Sequence, residues 1–172
     1  AVEDRYLRII SMVRAQIEVP LAVKLSQHIT GLSSFARRAE DAGANGLVLF
    51  NRFYGAEVDL DALAMTSRLA LSNPEELRFP LRWIGILRAQ RPGLSLAATT
   101  GVHSGLDAVK ALLVGADVAC TTSAVLQHGT GWVGRMLAEL GTWLTDHDYD
   151  SVRQLQGSMS ADNVSDPAAF ER

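Results

Sequence analysis

The stretch Asp41-Ala42-Gly43-Ala44-Asn45-Gly46-Leu47-Val48-Leu49-Phe50-Asn51 decides the fold class of this chain. It contains the end of a helix, a glycine turn at Gly43, and a short apolar run typical of a strand buried on both faces. The same order recurs at Leu113-Val114-Gly115-Ala116, which precedes another apolar run. Helices that alternate with buried strands indicate parallel pairing through right-handed crossovers, so an α/β protein is predicted.

Four such strand-and-helix units follow one another along the chain. Strands are predicted over residues 20–25, 46–51, 94–99 and 117–121, and helices over 2–17, 32–42, 81–91, 104–114 and 131–146. A complete eightfold barrel usually takes roughly 250 residues, and this chain has 172. The sequence therefore predicts half of a TIM (β/α)8 barrel, a single partial-barrel domain over 1–172 with a polar surface tail over 151–172.

The apolar spacing of the first and last helices predicts one buried face on each. Between them, residues 52–80 are the least regular part of the chain, with a short helix or turn predicted over 59–65 and a short strand over 69–72. The residues expected to be buried are Val2, Tyr6, Ile9, Ile10, Val13 and Ile17 in the first helix, and Val133, Met136, Leu137, Leu140 and Leu144 in the last.

Composition and charge limit the classes of function. Sixteen basic residues against 19 acidic ones give a net charge of −3, which provides no basic footprint for nucleic acid or membrane. No apolar run approaches the ~20 residues of a membrane-spanning helix. The single cysteine, Cys120, suits a reducing cytoplasm, the location that we expect. The first residues lack a methionine and the order of a signal peptide, which suggests a processed or truncated chain.

In barrels of this kind, chemistry gathers where the carboxyl ends of the strands converge on one mouth. The last two predicted strands end in Thr99-Thr100-Gly101 and Thr121-Thr122-Ser123, and each leads into a helix. A glycine lets backbone approach a ligand, and N–H groups at a helix start bind phosphate, so these ends are candidates for a phosphate cradle. The structural alternative is a tight turn at Thr100-Gly101 and a helix N-cap at Ser123.

Lys24 and Asn51 mark the ends of the first two strands. A lysine in an apolar strand is costly to bury unpaired, so Lys24 should face a polar mouth or an anion, unless it only reaches water. The Asn51 amide could bind a heterocycle or tie down its own loop. Cys120 is expected to be a packed core thiol. The four histidines lack the spacing of a metal site, and dinucleotide, nucleotide-loop and nucleophile-elbow motifs are absent from the sequence.

Several motifs together resemble class 1 dihydroorotate dehydrogenases, specifically the C-terminal half of that family and its dihydroorotate dehydrogenase-like subgroup. The resemblance covers nearly the whole chain, and its strength lies in the order and spacing of motifs that are each weak alone. The motifs are residues 20–26, Phe50-Asn51, residues 99–103, 114–124 and 149–157, with Leu49-Phe50-Asn51-Arg52-Phe53-Tyr54 and residues 77–83 marking the subgroup.

The resemblance implies a flavin mononucleotide (FMN) barrel that oxidises dihydroorotate to orotate in pyrimidine biosynthesis. Lys24 would lie by the pyrimidine edge of the flavin, where a cation stabilises reduced flavin. Phe50 and Asn51 would lie beside the ring, with Asn51 also reaching the substrate. The family residues that hold the ribityl phosphate correspond here to Thr100, Gly101, Thr122 and Ser123.

This chain departs from the family pattern at several of these positions. The family usually has Gly-Gly at Thr100-Gly101, Gly-Thr at Thr122-Ser123, and a small hydroxylic residue at Arg52. A Gly-rich segment of the family is replaced by residues 71–75. The catalytic base of the family, a serine or cysteine, belongs to the first half of the barrel, so no catalytic residue is assigned and the fragment is expected to be inactive by itself.

Two alternatives to a flavin oxidoreductase fragment stay open at this point. The first is a non-redox barrel, a lyase or isomerase that binds a phosphorylated substrate and uses Lys24 as a Schiff-base residue. The second is a non-catalytic half-barrel. Half a barrel leaves two unpaired strand edges and an open apolar interior, so it should associate with the missing N-terminal half-barrel or with itself.

Overall fold

The computed structural model of the chain describes residues 2–52, 55–67 and 70–170. Short 3-10 helices span Pro74–Leu77 and Pro167–Phe170. The strands are β1 (Ala22–Ser26), β2 (Gly46–Asn51), β3 (Ala56–Asp59), β4 (Ala64–Ser67), β5 (Ser95–Ala98) and β6 (Val118–Ala119). The α-helices are α1 (Val2–Arg14), α2 (Leu32–Asp41), α3 (Arg78–Gln90), α4 (Gly105–Val114), α5 (Ser123–His128), α6 (Trp132–Asp146) and α7 (Val152–Leu155).

Four of the strands form one parallel sheet in the order β1-β2-β5-β6, which confirms the predicted α/β architecture. The helices α2, α3 and α4 connect successive strands of this sheet, as parallel pairing requires. Four parallel strands with intervening helices are what half of a TIM barrel contains. The fourth strand is shorter than predicted, because only Val118 and Ala119 pair with β5.

One face of the sheet is packed and the other is open. Leu25, Leu49 and Leu96 point to the packed face and have at most 1% of their surface exposed. On the opposite face Ala22 and Lys24 are exposed, so the prediction that the first strand is buried on both faces is wrong. Among the described residues no second layer covers this face, and Val118 on β6 is 52% exposed there.

The two helices at the ends of the half-barrel are buried less than their apolar spacing predicts. In α1, Ile10 is buried and Tyr6 packs edge-on against Phe35 of α2, with ring centroids 6.2 Å apart. In α6, Met136 packs against α4. The prediction of one buried face is wrong for the apolar residues that remain exposed, namely Val2, Ile9 and Val13 in α1 and Val133 and Leu137 in α6.

Over 59–65 the sequence suggests a short helix or a turn, and the structure confirms the turn, at residues 60–63. This turn joins β3 and β4, an antiparallel hairpin that was not predicted and whose strand residues are all exposed. The Asp59 carboxylate accepts the backbone N–H groups of Asp61 and Ala62, which favours a turn over a helix at this point. Residues 70–72 are not a strand, and Leu69, where that strand was predicted to begin, lies outside the described residues.

The C-terminal segment is attached to the helices α3 and α4. Leu155 is fully buried, and the backbone N–H groups of Gly157 and Met159 donate to carbonyls at the end of α4, Leu112 and Leu113, at 2.9 and 2.8 Å. The Phe170 ring packs against Gly85 of α3. The segment after 151 is therefore attached to α4 through backbone hydrogen bonds and to α3 through the Phe170 ring.

Candidate functional site

One cavity of about 190 Å³ lies at the carboxyl ends of the parallel strands. All of the residues that the sequence analysis selected as cofactor or substrate ligands line it, although they come from four different strand ends. Cys120, expected to be a packed core thiol, is half-buried and also lines the cavity, which corrects that expectation. The selected residues are Lys24, Phe50, Asn51, Thr100, Gly101, Thr122 and Ser123.

A second cavity of about 340 Å³ adjoins the first. The two share Phe50, Asn51, Arg52 and Thr100, so the end of β2 separates them. Phe50 is buried, and its ring lies 5.1 Å from that of Phe79, measured between centroids. Four further residues line the second cavity: Gln27, Glu76, Phe79 and Pro80.

Lys24 brings a positive charge to the first cavity. It lies on the open face of β1, opposite Val48 of β2, and its side chain is exposed. Within the three described ranges it has no carboxylate partner. A lysine in such a position can meet an anionic ligand without first breaking an ion pair.

The turn at Thr100 and Gly101 has left-handed backbone at both residues, with φ of 77° and 83°. A Cβ at Gly101 would lie 2.3 Å from the backbone nitrogen of Leu77, so the close approach that glycine permits is to the 3-10 helix. Gly101 also lines the cavity, so its contact with a ligand stays a prediction. The Thr100 hydroxyl donates to the Phe50 carbonyl at 3.2 Å, which joins the ends of β5 and β2.

Ser123 is a buried hydroxyl at the far side of the cavity, with 8% of its surface exposed. It is the first residue of α5, and Thr122 is the N-cap, which corrects the assignment of Ser123 as a cap. The Ser123 hydroxyl accepts the backbone N–H of Ser72 at 2.9 Å. The segment over 70–72 is thereby held against the cavity wall.

Ser72 and His103 form a polar pair that the sequence analysis did not identify. The hydroxyl oxygen of Ser72 lies 3.0 Å from Nε2 of His103, and Ser72 lines the cavity. Trp132 of α6 donates its indole N–H to the His103 carbonyl at 2.8 Å. The two members of the pair are 31 residues apart and belong to irregular segments, so no periodic signal connects them in the sequence.

Asp107 and Ser104 form the predicted capping box at the start of α4, next to His103. Its carboxylate accepts the backbone N–H groups of His103 and Ser104 and the ammonium of Lys110, all at 3.1 Å. Burial by itself would raise the pKa of Asp107, but the hydrogen bonds from Lys110, Ser104 and His103 outweigh burial and hold it below its ordinary value. Asp107 is therefore a stabilising carboxylate, ionised at neutral pH.

Arg52 lies between the two cavities and forms an ion pair with Glu76 at 2.6 Å. The other oxygen of Glu76 accepts the backbone and side-chain N–H groups of Asn73, in the capping box of the 3-10 helix. The guanidinium is thus held in the mouth by a carboxylate that is itself fixed. Phe53 and Tyr54, which follow Arg52 in the subgroup motif, lie outside the described residues.

Among the residues that the structure describes, no group of three or more histidine, cysteine, aspartate or glutamate side chains has the arrangement of a metal site. None of the helices described has the length and apolar character needed to cross a membrane.

The chain matches several proteins of established function, although no protein-family model matches it. It is 30% identical, over 88% of its length, to the catalytic subunit of dihydroorotate dehydrogenase B (NAD(+)) of Citrifermentans bemidjiense, and 29% identical to that of Geobacter sulfurreducens. Dihydroorotate dehydrogenase A (fumarate) of Limosilactobacillus reuteri is 33% identical over 62% of the chain and is covered over 35% of its own length.

The match extends over only part of these relatives. The chain spans about half the length of the B-type catalytic subunits, 50% in both cases. Both the A and the B types occur among the relatives, and the four-stranded parallel sheet agrees with the barrel expected from the resemblance. By sequence and by fold, the chain is a homologue of the class 1 dihydroorotate dehydrogenases.

Proposed function

We propose that this chain supplies the FMN-binding half of a dihydroorotate dehydrogenase-like oxidoreductase of pyrimidine biosynthesis. The observation that carries the proposal is the convergence of seven residues, from four strand ends, on one cavity. The resemblance implies contact with flavin or substrate for the same residues, on the basis of their sequence motifs alone. Chance convergence is improbable for residues as far apart in sequence as Lys24 and Ser123, and the relatives are dihydroorotate dehydrogenases.

The chemistry of the lining fits FMN. Lys24 provides an ammonium without a carboxylate partner in the described chain, for the electron-rich pyrimidine edge of the flavin. Phe50 and Asn51 provide an apolar edge and an amide beside the ring. Thr122 and Ser123 provide hydroxyl groups for the phosphate, and Thr100 and Gly101 provide backbone donors. When bound, FMN would supply the capacity to accept a hydride from the substrate.

The second cavity is the place that we propose for the substrate. Asn51 borders both cavities, so its amide can contact the flavin and a neighbouring heterocycle. Arg52 makes the second cavity narrower, because its guanidinium group stands where the resemblance has a small hydroxylic residue. A proton acceptor for dihydroorotate is not among the residues that we assign, so we expect turnover only when a second half of the barrel is present. We expect the protein to act in the cytoplasm.

Flavin binding by the purified protein tests this proposal directly. FMN should bind with a change in flavin fluorescence, and Lys24→Ala should weaken binding on the order of tenfold, the value of one charged contact. Arg37→Ala is the matched control, because Arg37 is an exposed cation on α2 that does not line the cavity. A protein that takes up no FMN, or in which both variants behave alike, would contradict the proposal.

We also propose that a second half-barrel covers the open face of the sheet, either the N-terminal half that the relatives contain or another copy of this chain. Three features support this association. Residues of β1 and β6 are exposed on that face, the outer edges of both strands are unpaired in the described chain, and apolar residues on α1 and α6 are exposed. Val118 and Ile9 are each more than half exposed. Such a surface on a soluble sheet favours association.

Sedimentation of the protein by itself and with the N-terminal half of a B-type relative tests this association. We expect either a self-associated species or a stable complex with the added half. Val118→Lys places a charge on the open face and should weaken that association, whereas Leu106→Lys on exposed α4 surface is the control. A folded monomer that does not bind the added half would contradict this proposal.

A further inference from the structure

Ser72 and Ser123 place two buried hydroxyls on the wall of the same cavity, with 6% and 8% of their surfaces exposed. They are joined directly, because the backbone N–H of Ser72 donates to the Ser123 hydroxyl. The Ser72 hydroxyl in turn lies within hydrogen-bond distance of Nε2 of His103. The resemblance assigns no role to Ser72 or His103. Ser72 lines the cavity, and His103 is connected to the cavity through Ser72.

We propose that Ser72 is a further ligand of the anionic group bound in this cavity, and that His103 is a positioning residue that sets the direction of the Ser72 hydroxyl. The inference rests on the proposed function, because the anion in question is the phosphate of FMN. Its consequence is that phosphate binding is coupled to the protonation of His103.

The coupling follows from the single proton of a hydroxyl group. When Nε2 of His103 carries no proton, the Ser72 hydroxyl can donate to it and then presents only lone pairs to the cavity. When Nε2 carries a proton, the ring donates to Ser72, and the hydroxyl proton is free for an anion. A protonated imidazole always has Nε2–H, so protonation favours anion binding. By linkage, anion binding must then favour proton uptake.

The His103 backbone is held from both sides, which keeps its ring beside Ser72. Its N–H donates to the Asp107 carboxylate, and its carbonyl accepts the Trp132 indole N–H. Histidine is the side-chain type whose ordinary change of charge falls near neutral pH. The charged or titratable groups around this corner are Asp107 and Lys110 from α4, Glu139 and Arg135 from α6, and His128 from α5, whose ring lies 4.2 Å from that of Trp132.

The test compares FMN with riboflavin, which lacks the phosphate, in fluorescence titrations between pH 5.5 and 8. The variants are His103→Gln, which cannot be charged, Ser72→Ala, which removes the hydroxyl, and the control His128→Gln, which removes the other histidine at this corner. The phosphate itself loses a proton near about pH 6, but that ionisation is common to all variants. The ratio of affinities between variant and wild type therefore isolates the protein groups.

As the pH rises from 5.5 to 8, the FMN affinity of the wild type should fall on the order of tenfold more than that of His103→Gln. One charge-assisted hydrogen bond contributes about this much to affinity. Riboflavin should show no such difference, and His128→Gln should follow the wild type. Ser72→Ala should weaken FMN binding and lose the excess pH dependence. Calorimetry in buffers of different ionisation enthalpy should show proton uptake with FMN in the wild type and less in His103→Gln.

The outcomes separate this inference from the proposed function. If the wild type binds neither flavin, the proposed function fails and the inference fails with it. If FMN binds but the wild type and His103→Gln share one pH profile, the inference alone is overturned. The same holds if riboflavin shows the full pH dependence. Circular dichroism checks the fold of each variant, and should Ser72→Ala not fold, the more conservative His103→Gln still decides the result.

Discussion

Gly101 at the end of the third parallel strand packs directly against the backbone nitrogen of Leu77 in the 3-10 helix. An added Cβ would lie 2.3 Å from that nitrogen, and the φ of Gly101 is 83°. This contact, together with the ion pair between Arg52 and Glu76, attaches the segment over 72–77 to the mouth of the half-barrel. The same segment carries Ser72, so the packing of one glycine positions part of the cavity wall.

Replacing Gly101 with alanine should therefore be severely destabilising. The new Cβ meets backbone atoms that cannot move aside cheaply, and an alanine is strained at a left-handed φ. We expect a loss of about 3 kcal/mol or more in the free energy of unfolding, measured by urea denaturation. Gly93→Ala is the control, because a Cβ there meets nothing within 4 Å. Equal stability of the two variants would show that the Leu77 contact is not made.

Asp107 should make the protein sensitive to acid. Its folded-state pKa lies below its ordinary value of 3.8, so its contribution to stability is fully present above about pH 4 and is lost as the pH falls further. Asp107→Asn should cost about 2 kcal/mol at pH 7, since it loses charge-assisted hydrogen bonds in the α4 cap. The difference between wild type and variant should shrink toward pH 2 in thermal unfolding. Asp61→Asn on the exposed hairpin is the control for the loss of one carboxylate.

Arg52 should restrict the proposed substrate cavity. Its side chain, paired with Glu76, occupies the place of a small hydroxylic residue in the resemblance. The double variant Arg52→Ser with Glu76→Gln opens this place without leaving an unpaired carboxylate, and orotate should bind several-fold more tightly to it in a titration with FMN present. A loss of orotate affinity would instead mean that the guanidinium binds the substrate carboxylate.

The β3–β4 hairpin should contribute to association rather than to folding. Val58 and Met65 lie opposite each other, and Leu60 and Leu63 at its tip are 79% and 85% exposed. Leu60→Ser combined with Leu63→Asn should change the free energy of unfolding by at most about 0.5 kcal/mol, because little apolar area is buried there. Asparagine tolerates the left-handed backbone at 63. Light scattering should show weaker self-association, and an unchanged profile would argue against a role for the hairpin.

The local signals in the sequence were sufficient for the four strands of the parallel sheet and for most ends of the predicted helices. Gly43 and Gly115 have φ of 105° and 116°, the left-handed backbone that only glycine adopts easily after a helix. The capping box of Ser104 and Asp107 also forms as its spacing predicts. These features depend on neighbours within a few residues, which is why sequence alone identifies them. The hairpin was missed because its strands bury nothing and so lack the alternation that a packed face imposes.

The sequence by itself determined the order of the four parallel strands and of the helices between them, and it indicated which strand-end residues would meet, because parallel strands bring their carboxyl ends to one edge. Only the tertiary structure decided which face of the sheet is open and what surrounds each ligand candidate. Burial depends on which elements pack together, and helical spacing cannot reveal that Ile9 and Leu137 stay 52% and 62% exposed. The pair of Ser72 and His103 likewise joins segments that are 31 residues apart, a contact that no local pattern in the sequence encodes.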